Sequence, residues 1–318
     1  MANASNSAAV HALAGSGGGV LAYMLTYPLG TISTRLQVQT SNDQSSDQSH
    51  VYQGTVDAIL KIIKSEGWQG LYSGYSAGLT AVAATQGIYY YWYEWIRAYV
   101  EDVMKSKNLQ FSKDLVNLAI AAVAGSITAT LTNPLWVVNV RMTLQKKNLD
   151  KTKNEKPKGF FAVMSDMVRD EGLTSFWKGI VPALILVSNP AIQYMVFEKL
   201  KAMYEAKRPG QKLTPLHHFL LGAIGKTIAT IITYPYIVVK SRLQMKQPSN
   251  NNQPAYQGTS DVLSKIWANE GFFGFFKGMQ SKIVQSVLNA AFLFYFKEEL
   301  VQVVVMLLAA ASRLRLKQ

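Results

Sequence analysis

Two lysines lie inside long apolar stretches of the chain, where they could bind an anion. Lys226 is the only Asp, Glu, Lys or Arg in 213–239, and Lys282 is the only one in 278–296. A charged group inside an apolar helix is costly, so it usually faces a wet cavity or extends its stem to the membrane interface. We expect both lysines to face a cavity and to contact a negatively charged solute there.

Residues that support catalysis or metal binding are sparse. Cysteine is absent. No carboxylate lies within an apolar stretch to join the four histidines, His11, His50, His217 and His218. A nucleophile–base pair or a metal centre requires such partners. The sequence therefore predicts no enzyme, no metal site and no bound cofactor.

Charge and hydropathy together indicate a membrane protein. Hydrophobic residues make up 49% of the 318 positions and charged residues only 16%, whereas about 25% is usual in soluble proteins. The formal net charge is +13, but the basic residues lie at the edges of apolar segments. This distribution argues against nucleic acid as a partner and favours a small anionic solute and membrane lipid.

Two linked motifs recur three times along the chain. A proline near the end of an apolar segment is followed seven residues later by an arginine; the pairs are Pro28 and Arg35, Pro134 and Arg141, and Pro235 and Arg242. Each pair precedes a Glu-Gly dipeptide with an aromatic residue and a second glycine at fixed distance, at 66–74, 171–179 and 270–278. The period near 100 residues predicts three repeats, with boundaries at 1–105, 106–207 and 208–318.

Each repeat shows the same order of helical patterns. An apolar segment runs through the proline, a polar loop and a short amphipathic helix follow, and a second apolar segment begins after the aromatic-x-Gly turn. About 20 apolar residues are enough to cross a bilayer. The sequence thus predicts an all-α membrane protein with six transmembrane helices and one short amphipathic surface helix per repeat. The approximate spans are 8–38, 74–100, 114–145, 179–203, 215–245 and 278–306.

These tripled motifs resemble the mitochondrial carrier family over essentially the whole chain. The resemblance implies a barrel of six tilted helices in three pseudosymmetric repeats around a central cavity. It also implies a monomer that works by alternating access, with one gate at the proline end and another at the opposite end. We number the spans one to six, so that the prolines lie in the odd-numbered spans.

The proline-end gate departs from the family pattern. In the family, an acidic residue two positions after each proline and a basic residue five positions after it form a ring of ion pairs. The residues at these positions here are Gly30, Trp136 and Ile237 for the acids, and Ser33, Asn139 and Lys240 for the bases. Because Lys240 is the only charged member, we expect its replacement by alanine to impair transport only mildly. Basic stems could instead bond the carbonyls that the prolines leave free.

The family's gates supply the remaining candidate gate residues. At the opposite end, the family uses an aromatic-acid-x-x-base motif on the even-numbered spans; 93–97 and 197–201 fit it and 296–300 does not, so at most two complete pairs can form. The residues assigned to the two gates are Pro28, Pro134, Pro235, Arg35, Arg141, Arg242, Lys240, Gln37, Gln244, Glu94, Arg97, Glu198 and Lys201.

The resemblance also places substrate contacts midway along the even-numbered spans. Seven residues after the glycine that opens each span stand Ala81, Leu186 and Gln285, with Ile185 as the alternative in the second repeat. Polar residues one or two turns further on extend this set. The predicted substrate-binding residues, with the two lysines and one tyrosine, are Lys226, Lys282, Gln285, Asn289, Gln86, Thr85, Tyr90, Asn189 and Gln193.

Aromatic residues form a dense run at 89–93. Most of this run is expected to lie at the membrane interface. One or two rings, Tyr90 among them, could instead stack on a nucleobase, because aromatic side chains stack on any base.

Local stretches such as 84–91, 132–139 and 282–291 resemble the peroxisomal branch of the family, whose members carry NAD, CoA and adenine nucleotides. This resemblance implies an antiporter of NAD or related adenine-containing cofactors in the peroxisomal membrane. The alternatives are a mitochondrial inner-membrane carrier of nucleotides or cofactors such as NAD, FAD or folate, and a channel-like leak of the same fold. A basic loop, 146–158, could be an internal targeting signal or a solvated linker.

Overall fold

The computed structural model describes residues 2–40, 51–108, 111–145, 157–208, 214–246 and 256–315. Most of the basic loop at 146–158 therefore lies outside the described residues. Regular structure within the described ranges is helical. The α-helices there are α1 (Ala2–Val38), α2 (Thr55–Glu66), α3 (Trp68–Leu71), α4 (Tyr75–Ser106), α5 (Lys113–Gln145), α6 (Phe160–Glu171), α7 (Ile180–Leu186), α8 (Asn189–Lys207), α9 (Pro215–Gln244), α10 (Thr259–Glu270) and α11 (Met279–Arg315).

The three short helices α2, α6 and α10 are the predicted amphipathic helices, and each has 12 residues. In α2, Ala58 and Ile62 are fully buried against Ile32 and Leu36 of α1. The equivalent residues of α6 and α10 pack on α5 and α9 in the same way. Each short helix thus buries its apolar face against the odd-numbered span of its own repeat, at the proline end of the molecule.

The prolines lie inside continuous helices rather than at helix ends. Pro28, Pro134 and Pro235 are internal to α1, α5 and α9. Proline has no N–H, so each one leaves the carbonyl four residues earlier without its helical partner. One of these carbonyls, that of Thr130, accepts a hydrogen bond from the Trp177 indole at 3.1 Å. The prediction that basic stems bond the freed carbonyls is therefore wrong at this position.

The residue before each proline joins the two spans of its repeat. Tyr27 donates from its hydroxyl to the carbonyl of Ser73 at 2.9 Å, and Tyr234 donates to that of Lys277 at 3.1 Å. In the second repeat the residue before the proline is Asn133, and its Nδ2 donates to the carbonyl of Lys178 at 3.2 Å. The three acceptors are equivalent positions, each directly before the glycine that opens an even-numbered span.

These opening glycines allow the repeats to touch. Gly74, Gly179 and Gly278 all have left-handed backbone angles, with φ of 79°, 76° and 77°. A Cβ atom on Gly278 would stand 2.8 Å from the carbonyl oxygen of Ser33 in the first repeat. Contacts of the same kind join Gly74 to the second repeat and Gly179 to the third. A side chain at any of them would be strained and would push two repeats apart.

The fourth span is divided, whereas the sequence predicted one helix over 179–203. Helix α7 ends at Leu186 and α8 begins at Asn189. Pro190 cannot donate to the carbonyl of Leu186, and the chain tightens so that the amide of Ser188 bonds the carbonyl of Ile185 at 3.1 Å. Val187 and Ser188, between the two helices, keep right-handed helical backbone angles, so the break is a single tightened turn.

Six long helical segments form three packed pairs, α1 with α11, α4 with α5, and α8 with α9. Three stretches among the described residues are apolar enough to cross a membrane by length and composition alone: 113–145, 173–207 and 216–244. The prediction of six spans on the same basis thus holds for the third, fourth and fifth. Helices α1, α4 and α11 have 37, 32 and 37 residues, more than the length needed to span a bilayer.

Candidate functional site: a cavity and a closed proline end

A cavity of about 1170 Å³ lies between α4, α5, α7 and α8, with one residue of α9 in its wall. Its lining combines aromatic rings, including Tyr89, Tyr90 and Trp136, with amides such as Gln86 and Asn117. Among the lining residues, Asp114 is the only carboxylate and Lys240 the only cation. The cavity is therefore a mostly neutral chamber that offers ring faces and amide groups to a solute.

Three of the predicted substrate-binding residues line this cavity, namely Thr85, Gln86 and Tyr90. Tyr90 is 64% exposed, so its ring face is free to contact a ligand. Of the positions that the family resemblance gave for substrate contact, Leu186 also lines the cavity, whereas Ala81 is fully buried.

Lys226 extends across the bundle to the second repeat. Its ammonium donates to Oδ1 of Asn189 at 2.8 Å, and Nδ2 of Asn189 donates to the Thr233 hydroxyl at 2.8 Å. Asn189 is only 9% exposed, so Lys226 is directed into the protein and does not extend to the interface. The neighbours Ser188 and Pro190 line the cavity, which places this network directly beside it.

Lys282 lies on the face of α11 that packs against α1. Its ammonium donates to Oε1 of Gln285 at 3.0 Å, and Gln285 fills the space left by Gly30. One turn further along, Oδ1 of Asn289 accepts from the Thr26 hydroxyl at 3.2 Å. These residues form a polar stripe between α1 and α11 rather than part of the cavity lining described above. Gln193 contributes a backbone contact to Gly225.

No carboxylate forms an ion pair with Lys226, Lys240 or Lys282 among the described residues. Lys282 is close enough to Lys240 and to Lys226 for the like charges to repel each other. Such a group of uncompensated cations inside an apolar bundle favours the approach of an anion.

The proline end of the bundle is closed by three equivalent arginines. Arg242 binds both carboxylate oxygens of Glu270, at 2.6 and 2.8 Å, and donates to the carbonyl of Gln37 in the first repeat at 3.0 Å. Arg35 binds Glu66 with two hydrogen bonds and donates to the carbonyl of Thr143 in the second repeat at 3.3 Å.

Arg141 completes the circle. It binds Glu171 with two hydrogen bonds and donates from Nε to the carbonyl of Gln244 in the third repeat at 3.3 Å. Each arginine thus holds the Glu-Gly turn of its own repeat and the last helical turn of the next. The carbonyls in these contacts belong to helix ends, not to the positions freed by the prolines. The glutamates were visible in the sequence as part of a tripled motif, but their partner was not.

Glutamine side chains add neutral contacts at this end. Gln37 donates from Nε2 to the Tyr234 hydroxyl at 3.1 Å and accepts from the Ser241 hydroxyl at 2.7 Å. Gln244 donates to Oδ1 of Asn133 at 3.3 Å. These neutral hydrogen bonds join the first repeat to the third and the second repeat to the third at the proline end.

The opposite end is unlocked in this structure. Arg97 pairs with Glu101 of its own helix at 2.9 Å, and this pair is about half exposed. Within the described ranges, no ion pair joins Glu94 or Arg97 to Glu198 or Lys201. The predicted gate at this end stays a prediction for another conformation.

The geometry is that of a membrane carrier held closed at one end with a solute cavity above the closure. The sequence profile described as "Mitochondrial carrier protein" matches residues 4–103, 112–208 and 211–306. The chain belongs to the mitochondrial carrier family, so its fold is that family's all-α membrane fold with three repeats.

The relatives indicate where in this family the chain lies. It is 43% identical to mitochondrial substrate carrier family protein Q of Dictyostelium discoideum, over 96% of this chain and 91% of that protein. It is 40% identical to the peroxisomal nicotinamide adenine dinucleotide carrier of Arabidopsis thaliana, over 96% and 99%. It is 35% identical to the peroxisomal membrane protein PMP34 of Mus musculus, over 92% of each chain.

Proposed function

We propose that the protein is a peroxisomal antiporter of NAD or related adenine-containing cofactors, such as CoA, ATP, ADP and AMP, and that it works by alternating access. The observation that carries this proposal is an aromatic, amide-lined cavity in a bundle that also holds lysines with no carboxylate partner in the described part of the chain. The identities to a peroxisomal NAD carrier and to another peroxisomal membrane protein support both the solute class and the organelle.

The cavity suits a large anion with an aromatic base. Its volume of about 1170 Å³ is slightly larger than that of typical ligand sites, which is roughly 300–1000 Å³. Tyr90 and the neighbouring rings can stack on a base, and Gln86 and Thr85 can bond its polar edge or a ribose. A dinucleotide or a CoA-like molecule would fill this volume and contact these groups more completely than a small carboxylate would.

Fixed positive charge must replace part of the water that a phosphate loses on entering the bundle. Lys226 and Lys282 can supply it, because an ammonium–phosphate contact is charge-assisted and strengthens away from bulk water. We propose that Asn189 and Gln285, which hold the two ammonium groups, together with Asn289 and Gln193, complete the substrate path.

The proposed transport cycle follows from the difference between the closed proline end and the opposite end of the bundle. Solute enters past Arg97 and Lys201 while the arginine circle at the proline end is intact. Opening toward the other side must break the carbonyl contacts of Arg35, Arg141 and Arg242 between repeats. The bidentate pairs within each repeat can stay intact, so each repeat moves as a unit.

The test is exchange in liposomes preloaded with NAD, CoA, ATP, AMP or FAD, with external labelled NAD as the probe. We expect saturable uptake that is stimulated by internal adenine compounds. Uptake of dicarboxylates or amino acids with no response to any adenine compound would overturn the proposed solute class. Flux that neither saturates nor depends on internal solute would favour a channel-like leak.

The organelle is tested separately by following a fluorescently tagged full-length chain in cells. We expect the tag to coincide with a peroxisomal matrix marker. Coincidence with a mitochondrial inner-membrane marker would instead support the mitochondrial nucleotide or cofactor carrier.

A further inference from the structure

Lys240 behaves unlike the two residues at its equivalent positions. Ser33 donates from its hydroxyl to the carbonyl of Gly278 at 3.1 Å, and Asn139 donates from Nδ2 to that of Gly74 at 3.1 Å. Both therefore help to close the proline end. The structure gives Lys240 no hydrogen bond or ion pair in the described part of the chain. Its ammonium lies over the Trp136 ring, 5.9 Å from the centroid.

This contact is too loose to replace an ion pair. A cation is attracted to an aromatic face within about 6 Å of the ring centroid, so 5.9 Å is near the limit of the interaction. Trp136 stands at a position where the family has an acid, and it cannot neutralise the charge. Lys240 thus keeps an unsatisfied ammonium, which is costly in an apolar surrounding unless water or an anion reaches it.

The surroundings of Lys240 allow such access. Lys240, Trp136 and Thr85 all line the cavity. The indole Nε1 of Trp136 donates to the Thr85 hydroxyl at 3.1 Å, which fixes the ring in the cavity wall. Each of the three residues comes from a different repeat, so the group forms only in the assembled bundle.

We propose that Lys240 and Trp136 form a phosphate-binding subsite on the cavity wall nearest the proline end, and that Lys240 is a substrate-binding residue rather than a gate residue. The ammonium binds a phosphate oxygen of the solute, and the indole holds the ammonium from the other side. The choice of a phosphate-bearing solute rests on the proposed function. The subsite makes a neutral nucleoside a poor ligand and replaces the expectation of a mild Lys240→Ala effect.

The subsite also joins the solute to the closure. The backbone carbonyl of Lys240 lies 3.2 Å from where a Cβ of Gly179 would stand, at the start of the fourth span. An anion bound to the ammonium of Lys240 is thus attached to the same residue whose backbone contacts the second repeat.

The decisive experiment compares Lys240→Gln with its symmetry-matched control Asn139→Ala in NAD exchange by liposomes. Loss of one charge-assisted hydrogen bond should raise the half-saturating NAD concentration by about tenfold or more in Lys240→Gln. Lys240→Arg should recover part of this loss. Asn139→Ala, which removes a closing contact, should change the maximal rate or the leak but not the half-saturating concentration.

A binding measurement tests the subsite without transport. Pyrophosphate should raise the melting temperature of the full-length protein in detergent, and the increase should be smaller in Lys240→Gln and in Trp136→Leu. Equal stabilisation of the wild type and both variants would overturn the subsite, as would a half-saturating NAD concentration unchanged in Lys240→Gln. If the wild type exchanges no adenine compound but shows Lys240-dependent stabilisation by pyrophosphate, the proposed function fails and the subsite stands.

Discussion

The cations inside the bundle fall into two regions with opposite environments. At the proline end, Arg35, Arg141 and Arg242 each bind a glutamate with two hydrogen bonds. By contrast, Lys226 and Lys282 donate to the amide oxygens of Asn189 and Gln285, and no carboxylate pairs with either lysine among the described residues. Guanidinium groups suit fixed bidentate pairs, whereas an ammonium is a mobile point charge. The difference separates cations that hold the fold together from cations that remain available to a solute.

The largest expected effect is on the arginine side. In Arg242→Ala, Glu270 would lose its bidentate partner but keep the ammonium of Lys277, which lies 2.7 Å from its carboxylate; the Arg242 and Glu270 side chains are only 1% and 4% exposed. Removing one member of a buried pair costs about 3–5 kcal/mol, and Lys277 should offset part of this cost. The melting temperature in detergent should therefore fall by about 5–10 °C.

The control for this change is Arg97→Ala. Its pair with Glu101 is 48% and 50% exposed, and exposed pairs contribute little to stability. A melting temperature that falls equally in Arg97→Ala and Arg242→Ala would contradict the contrast between buried and exposed pairs.

Replacing the lysines should change substrate affinity and leave the melting temperature nearly unchanged. Lys226→Gln and Lys282→Gln should each raise the half-saturating substrate concentration by about tenfold or more, because glutamine cannot supply the charge. Neither should lower the melting temperature as Arg242→Ala does, since no carboxylate is left without a partner. Lys→Arg should be tolerated poorly, because the two head groups differ in shape. The half-saturating concentration is measured from initial uptake rates at a series of external substrate concentrations. Insertion of each variant into the liposomes is checked separately.

Acid should weaken the ion pairs between the arginines and their glutamates, because a protonated glutamate no longer attracts a cation. Burial opposes ionisation of Glu171, but hydrogen bonds from Arg141 and Lys178 outweigh it and lower the pKa from 4.5 to about 2. A carboxylate with a lowered folded-state pKa stabilises the protein above its unfolded pKa, and this stability is lost as the pH falls from about 4.5 toward 2. Melting temperatures between pH 6 and pH 2.5 should therefore fall less steeply in Glu171→Gln than in the wild type. Parallel profiles would show that the pair contributes nothing to acid sensitivity.

The smallest expected effect concerns the amide that holds Lys282. Gln285→Ala removes an acceptor at 3.0 Å but leaves the ammonium, so substrate binding should weaken by only a few-fold. The measurement is the same saturation curve. A loss as large as that of Lys282→Gln would mean that Gln285 itself contacts the solute.

The helical architecture could be predicted from the sequence because its signals are local and repeated. The spacing of Pro28 and Arg35, found three times, together with the apolar periodicity, placed the spans and the surface helices. The break at Leu186–Asn189 was missed, although Pro190 was the available signal. A proline is tolerated within α1, α5 and α9, so its presence alone did not distinguish a break from a continuous helix.

The partners of the charged residues could not be predicted in the same way. Arg242 and Glu270 are 28 residues apart, and the carbonyl of Gln37 is 205 residues from Arg242, so only the folded ring brings them together. Lys240 was assigned to the gate by its position after Pro235. Its place in the cavity wall depends on Trp136 of another repeat, which the spacing of motifs does not reveal.

The central claim is that Lys226 and Lys282 recognise the negative charge of the solute. The most direct test is competition with labelled NAD by adenosine, AMP, ADP and ATP, for the wild type and for Lys226→Gln/Lys282→Gln, in the same liposomes. The account predicts that competition by the wild type strengthens with each added phosphate and that this dependence flattens in the double variant. The same dependence on phosphate number in both proteins would contradict it.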